Sequence, residues 1–434
     1  MRTSGSIWHI FFILCIFSIS FAQAPDTLWT KRYGGKCGYA VRQTFDNGYF
    51  VAGQKISSGR DHIWLLRTDE DGDTLWTRIY GDTTASSTAY DMQITPDGGC
   101  IIIGNYGLSL FLLRIDRFGD TLWTKKYGEF AYAVGYSIEK TSDGGFIIAG
   151  SDISETYLWL LKTDANGDTT WTQRYASGNY NVGYSVRQTT DGGYIIAGRT
   201  ASPSGIHLYI VKTNSAGNPL WTRTFLDTIA FDEIVSVVET FDSGYIVAVT
   251  TSYYLPREAV FIKIEANGDS IWCQIYGSPY VVGSGLHCIE KTADSNYIAT
   301  GYYHSSADTI GFWILKIDDY GDTLWTITLG GIDFTSGYAV QQTQDGGYIA
   351  VGGDDDGIWI IKTESDVGIK EVETVETDNS IGATIFSEPL LLPEGKKCRV
   401  FDITGRIVEP DKITRGIYFI EIDGVVTQKV VRVR

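Results

Sequence analysis

The residues of this 434-residue chain that come nearest to acid–base chemistry are Asp91, Glu139 and Glu290, with Arg42 and Arg187 at nearby register. Two carboxyls whose surroundings push their pKa values apart can act as acid and base on one bond. Glu139 and Glu290, however, belong to repeats three apart, so they are expected to face each other across an axis. His62, His207, His287 and His304 have no Cys, Ser or Asp partner at a motif spacing. No G-x-S-x-G, H-E-x-x-H or phosphate-binding loop is present. No catalytic residue is assigned. Asp69–Asp73 and Asp164–Asp168 begin like calcium loops, but the glycine comes one residue early and no glutamate stands at the twelfth position. A hairpin with Gly in the left-handed region and Asp capping the turn accounts for them. The acidic turn Asp354, Asp355, Asp356 is the weak candidate for Ca²⁺; otherwise no metal and no cofactor is expected.

The stretches 54–61, 250–258, 302–309 and 353–356 differ from repeat to repeat in length and wording, whereas the connections between them are nearly constant. Variable loops on a rigid scaffold carry function, so a binding surface is expected on that face. Its candidate residues are Tyr253, Tyr254, Tyr280, Tyr302, Tyr303, His304, Asp333 and Phe334. Flat rings stack on the apolar faces of sugars and carboxylates accept hydroxyl hydrogen bonds; the same groups serve a protein partner.

The scaffold is written in seven tryptophans, Trp29, Trp76, Trp123, Trp171, Trp221, Trp272 and Trp325, spaced by 47 to 53 residues. Such a period marks a repeat architecture. Each unit reads as four short strands separated by Gly, Asp and Asn clusters, and four antiparallel strands per repeat make a propeller blade. First strands and third strands number seven each. The fourth strands, at 27–33, 74–80, 121–127, 169–175, 219–225, 270–276 and 323–329, also number seven, but the first precedes any blade and the last blade lacks its own. The expected solution is an all-β, seven-bladed propeller closed by residues 27–33. In every third strand a basic residue recurs (Arg67, Arg114, Lys162, Lys212, Lys263, Lys316, Lys362), with Asp69, Asp116, Asp164, Asn214, Glu265, Asp318 or Glu364 two positions on. That spacing predicts a same-face pair repeated as blade glue. In the T-x-D-G-G turns, two glycines are expected to allow positive φ.

Composition bounds the rest. The chain is 43% hydrophobic and 20% charged with a formal charge of −17, the wrong sign for a nucleic-acid partner. Arg2, an apolar run over 7–21 and Ala22-Gln23-Ala24 read as a secretory signal over residues 1–24. No later stretch is apolar for 18 residues, so no transmembrane segment is expected in the mature chain. The five later cysteines share no spacing, and no disulfide framework is expected. The propeller is placed at 25–363, an acidic linker at 364–383, and a β-module, a small immunoglobulin-like sandwich, at 384–434.

In that module a strand ending in Asp402-x-x-Gly405-Arg406, the strand Gly416-Ile417-Tyr418-Phe419 and a terminal Lys429-Val430-Val431-Arg432 stand in order. This succession resembles the C-terminal sorting domain of the type IX secretion system (Por secretion). The resemblance implies a two-membrane bacterium, export by leader and then tail, and a secreted or outer-surface location with the secretion machinery as a partner. The repeats over 27–363 resemble bacterial "G-G-Y-I-x-A-G … W" β-propeller repeats found in exported proteins, which implies architecture only, since that family has no common ligand. The reading is therefore a monomeric, non-catalytic binding module for an extracellular glycan or protein. The alternatives are a polysaccharide-degrading hydrolase or lyase and a structural surface component.

Overall fold

The computed structural model describes residues 24–366 apart from 82–83, 129–131, 153–154, 204, 226–235, 252–256, 277–282, 305–309, 331–334 and 355, and, beyond them, 383–386, 398–402, 407–409, 416–422 and 425–432. Every regular element among these is a strand, and they are numbered β1 to β33 in chain order. Contacts divide the chain into two units, Met1–Gly368 and Ile369–Arg434.

The first unit is a ring of seven four-stranded antiparallel sheets. Blade one shows the pattern: β2 (Cys37–Gln43), β3 (Tyr49–Ser57), β4 (Arg60–Thr68) and β5 (Thr74–Tyr80), innermost to outermost. Blade seven is β26 (Ser336–Gln342), β27 (Tyr348–Asp354) and β28 (Gly357–Thr363), and its outermost strand is β1 (Thr27–Tyr33), paired from Thr27↔Thr363 to Tyr33↔Ile358. The strand count in the sequence thus anticipates the closure. Middle strands are buried on both faces, because each blade packs against two others. Fully buried examples are Phe50, Leu65, Ile102, Phe261 and Phe312.

In five of the seven outer strands two side chains, a Trp and a Tyr, fasten the strand to the following blade. Trp29 lies against Gly72, Trp76 against Gly119 and Trp123 against Gly167, so close that a Cβ on any of these glycines would stand under 3 Å from the ring. Tyr33, Tyr80, Tyr127, Tyr175 and Tyr276 donate their hydroxyls to the carbonyls of Gly72, Gly119, Gly167, Gly217 and Gly321. These glycines sit at positive φ in the hairpins that join third to fourth strands, with Asp69, Asp116 and Asp164 capping their turns. Blade seven has no such hairpin, and Asp366 takes its place. Its carboxylate accepts from Trp325 Nε1 at 2.7 Å, Lys316 Nζ at 2.6 Å and Tyr348 Oη at 2.9 Å. Glu364 N donates to Asp26 O at 2.9 Å, so residues 364–366, expected to open the linker, are bound to the propeller.

The expected same-face charge pair is corrected. The buried cation of each third strand pairs not with the acid two positions on but with the aspartate of the turn joining first and second strands. The pairs are Arg67–Asp46, Arg114–Asp97, Lys162–Asp143, Lys212–Asp191, Lys263–Asp242, Lys316–Asp294 and Lys362–Asp345. The strand ends before position +2, so alternation no longer governs where that acid points, and Asp69 and its counterparts accept main-chain N–H bonds of their own turns instead. The glycine expectation is corrected likewise. Only the first Gly of each D-G-G has positive φ (Gly98, Gly144, Gly192, Gly346). The second is needed for space: a Cβ on Gly145 would stand 2.1 Å from Thr163 O and 2.6 Å from Lys162 Nζ.

The second unit holds one five-stranded sheet in the order β29 (Ala383–Phe386), β33 (Val425–Arg432), β32 (Gly416–Ile422), β30 (Cys398–Asp402), β31 (Ile407–Val408). β29 runs parallel to β33 and the other pairs are antiparallel. Asp402 ends β30, Gly416 and Tyr418 lie in β32 and Lys429 in β33; Gly405 and Arg406 lie outside the described residues.

Candidate ligand site in the central channel

The seven innermost strands surround a channel, and a repeated irregularity decides what lines it. The pairing of first with second strand shifts by one residue at Tyr39, Tyr90, Tyr136, Tyr184, His287 and Tyr338. A β-bulge sets two residues against one and re-aims the extra side chain. Here that side chain joins the channel wall together with its successor, as Tyr136 does with Ser137 and His287 with Cys288. The strand opposite must yield room. A Cβ on Gly53, Gly104, Gly150, Gly198, Gly301 or Gly352 would stand about 2 Å from a carbonyl oxygen of the bulged strand. Blade five has Val249 at this position, its described pairs from Ser236↔Ala248 to Glu239↔Tyr245 run without a shift, and the residue aligned with the tyrosines is Val235. Glycine, bulge and aromatic ring therefore occur together in six blades.

The six rings form an arc. Centroid separations are 5.0 Å for Tyr184–Tyr136, 5.1 Å for Tyr136–Tyr90, 5.8 Å for Tyr90–Tyr39 and 5.1 Å for Tyr39–Tyr338. His287 closes the arc, stacked on Tyr338 at 4.6 Å and 9°. Its Nδ1 lies 2.8 Å from Gly337 O and so carries the proton, leaving Nε2 as an acceptor. Burial lowers the His287 pKa to about 4, so the ring is neutral at physiological pH. Burial likewise raises Tyr39, Tyr90 and Tyr136 above the usual phenol range. The arc sits near the starts of the first strands. That is the face of the variable connections, because the constant turns follow the ends of those strands.

Deeper along the same strands lies a floor of charge. Arg42 Nη2 bonds Asp91 Oδ1 at 2.8 Å, and Arg187 Nη2 bonds Glu290 Oε1 at 2.7 Å, bridging blades four and six. Each guanidinium also donates to the carbonyl before it, Val41 O or Val186 O. Glu139 accepts from Gln188 N and Asp91 Oδ2 from Ile138 N, stitching each blade to the next. Burial raises both carboxyls; Glu139 reaches about 7 although Arg187 and the Gln188 N–H work against the shift. Burial disfavours the Arg187 charge, but Glu290, Glu139 and Asp91 overcome it and raise its pKa. Arc and floor enclose a cavity of about 170 Å³. Pockets that enclose a drug-sized molecule measure about 300–1,000 Å³, so this one has room only for the end of such a molecule.

The loop candidates fall differently. Tyr253, Tyr254, Tyr280, Asp333, Phe334 and Asp355 lie outside the described residues. Tyr302, Tyr303 and His304 are not loop residues but the end of β23 (Tyr297–His304), where pairing continues through Tyr302↔Phe312 and His304↔Ile310. Tyr302 is buried beside His287, with centroids 5.8 Å apart, and Tyr303 packs on Trp313. Asp354 and Asp356 both pair with Arg32, so a guanidinium stands where the acidic turn would hold an ion. Among the described residues no group of three His, Cys, Asp or Glu is placed to hold a metal.

The channel tyrosines are what the sequence reading missed. Their signal was the recurrence of Tyr at one first-strand position in five of seven repeats, together with a Gly in six of the seven second strands.

Architecture and channel define the first unit as a seven-bladed β-propeller with a one-ended aromatic pocket on its axis. No family model matches the chain, and no curated protein matches it. Among solved structures it is similar to a streptogramin B lyase (TM-score 0.47, 12% identity, 77% of this chain and 98% of that one). It is also similar to a protein of unknown function from Dyadobacter fermentans (0.48, 10%, 78% and 98%). A third is Sqt1 of Chaetomium thermophilum bound to the N-terminus of ribosomal protein L10 (0.49, 11%, 78% and 100%).

Proposed function

We propose that the protein is a secreted or cell-surface, non-catalytic binding module that takes the end of a glycan chain into the propeller channel. The observation that carries this reading is the arc of five tyrosines and a neutral histidine over a hydrogen-bonding floor, at the face of the variable connections. Rings supply apolar faces, and the phenols, His287 Nε2 and the floor carboxylates supply partners for hydroxyls. The floor side chains stitch blades together, which suits holding a ligand more than breaking one. A second reading, a polysaccharide-degrading enzyme, draws on Glu139 titrating near neutrality beside Glu290.

Glycan-array binding by the mature chain tests both. The double variant Tyr90→Ala, Tyr136→Ala should weaken binding at least tenfold, about 1.4 kcal/mol. Release of new reducing or unsaturated ends would favour the enzyme, and a blank array would remove the glycan reading.

The C-terminal unit is proposed to be an immunoglobulin-like sorting domain that exports the propeller through the type IX machinery. The support is the ordered motif at Asp402, Gly405, Arg406, Gly416, Tyr418 and Lys429. A chain ending at residue 368, expressed in a bacterium with that system, should accumulate in the periplasm; secretion equal to the full chain would refute the assignment.

A further inference from the structure

We propose that a second copy of this chain docks along β21 (Ser270–Tyr276), the outer strand of blade five, by antiparallel pairing of the two exposed edges about a two-fold axis at Cys273. The inference concerns the rim of the disc and is independent of the glycan reading of the channel.

The outer strand of a blade is an open sheet edge, a row of N–H and C=O groups that can template another strand, and natural sheets guard such edges with charge. Five of the other six outer strands carry lysine or arginine, as Lys126, Arg174 and Arg223 illustrate. The sixth, β25 (Thr323–Leu329), is uncharged, but its apolar side chains are buried or half-buried, and only Thr326 and Thr328 are exposed. The β21 strand reads S-I-W-C-Q-I-Y. It has no charge, and its two isoleucines, Ile271 and Ile275, are 49% and 53% exposed. It pairs on one side with β20 (Ala259–Ile264), and no described strand pairs it on the other. Asp269, just before it, is paired with Arg223.

The order of these residues selects the occupant. Alternate residues share a face, so Ile271, Cys273 and Ile275 stand in one row, and the row reads the same in both directions. Two copies paired antiparallel and centred on Cys273 set Ile271 of each against Ile275 of the other, with Cys273 against Cys273. On the opposite face Trp272 meets Gln274, so apolar groups meet apolar groups and no charge opposes a charge. A contact of this kind uses one patch twice and closes as a dimer. The same centring in two other outer strands would set Leu28 against Arg32, or Leu122 against Lys126. In β5, Leu75, Thr77 and Ile79 make a comparable row, but exposed Arg78 guards that edge. One seven-residue strand pair falls short of the roughly 1,200 Å² of a stable interface, so the dimer is expected to be reversible. The net charge of −17 opposes association at long range, and salt at about 0.15 M screens it beyond about 8 Å. The monomer expected from the sequence is then the dilute state.

The test is sedimentation of the full mature chain in reductant and about 0.15 M salt, at concentrations from about 1 to 300 μM. The expected result is a reversible shift from monomer to dimer. Ile275→Lys installs the charge that Lys126 and Arg174 place at the same position in blades two and three, so it should stay monomeric and keep the melting midpoint of the unaltered chain. Directly opposed residues of an antiparallel pair have Cα atoms about 4.5–5.5 Å apart, a separation that a disulfide spans. Oxidised glutathione should therefore trap the dimer: two Cys273 thiols are oxidised to one disulfide while one glutathione disulfide is reduced to two thiols. Trapping should be lost in Cys273→Ser and at least about tenfold slower in Ile275→Lys. A chain that stays monomeric at the highest concentration overturns the proposal, as does a dimer that persists in Ile275→Lys. Faster trapping through Thr77→Cys in a Cys273→Ser chain than through Cys273 itself also overturns it, since the copies would then meet at blade one. The glycan array is read separately, so failure here leaves the channel reading in place.

Discussion

A chain that begins at residue 34 should lose its cooperative unfolding transition, and a synthetic peptide of residues 24–33 added in excess should restore it. β1 is the whole outer strand of blade seven, and without it β28 becomes an unprotected edge. The loss is more than a ladder. Trp29 and Tyr33 pack on the cluster of Tyr49, Trp64, Val351 and Ile358, which spans blades one and seven. Tyr33 reaches Gly72 O, and Arg32 stacks on Trp359 at 4.8 Å while pairing with Asp354 and Asp356. Six ladder pairs at a net contribution of about 1 kcal/mol each, with two half-buried rings, approach the roughly 5–15 kcal/mol that holds a whole domain folded. Denaturant titration followed by tryptophan fluorescence checks this; a sharp transition of unchanged midpoint in the shortened chain would show that the ring does not depend on its first strand.

The midpoint of thermal unfolding should fall steeply between about pH 4 and pH 2. The cause lies in seven turn aspartates, Asp46, Asp97, Asp143, Asp191, Asp242, Asp294 and Asp345. Partial burial pushes these carboxyls up, but the threonine hydroxyl two residues earlier and the paired cation outweigh it. Asp143, Asp242 and Asp294 are held down to about 2, and the other four are lowered as well. A carboxyl with a depressed folded pKa stabilises the native state above its unfolded value of about 4, and that contribution is lost as pH falls through the folded one. Most of the aspartates are exposed, so screening reduces each pair to about 0.5–1 kcal/mol. Their partners are not: Lys162, Lys212 and Lys362 side chains are at most 4% exposed, and protonating the acid leaves each a buried charge without its carboxylate, whereas Lys316 keeps Asp366. Glu139 acts with the opposite sign. Its folded pKa near 7 lies above the unfolded value, so its contribution is full below about pH 4 and is lost as pH rises through 7. Scanning calorimetry from pH 2 to 9 checks the profile; a flat acid limb would mean that the pairs contribute nothing.

The outer strands were legible residue by residue. Thr27–Tyr33, Thr74–Tyr80 and Thr121–Tyr127 fall where the L-W-T phrase and its flanking turns put them, because hydrophobic alternation bounded by Gly and Asp leaves little freedom. Ring closure was legible as well, from counting which strand types lacked a blade. The salt-bridge partner was not. Alternation relates residues within one strand, whereas the acid that Lys162 meets comes from a turn 19 residues earlier. The channel was partly legible: Asp91 and Glu290 line it with Arg42 and Arg187, and Glu139 stands beside them without lining the cavity. The tyrosines were not foreseen, since each sits in a bulge, and a bulge breaks the period-two rule by which a strand residue is assigned to one face.

The closure also orders events in time. Arg32 and Asp356 are 324 residues apart, and the blade they share does not exist until both ends of the propeller have been made. Loop-closure entropy makes such distant pairings slow, so blades one to six assemble as an open arc and the seventh joins last. Through that interval the arc leaves two apolar blade faces uncovered, those of blades one and six that the seventh later covers, and such surface is prone to aggregate. Blade seven meets blade six through a shared core of Phe312, Ile314, Val340 and Tyr348, and Asp366, docked against Lys316, Trp325 and Tyr348, adds a polar clasp over that seam, where the chain leaves the propeller.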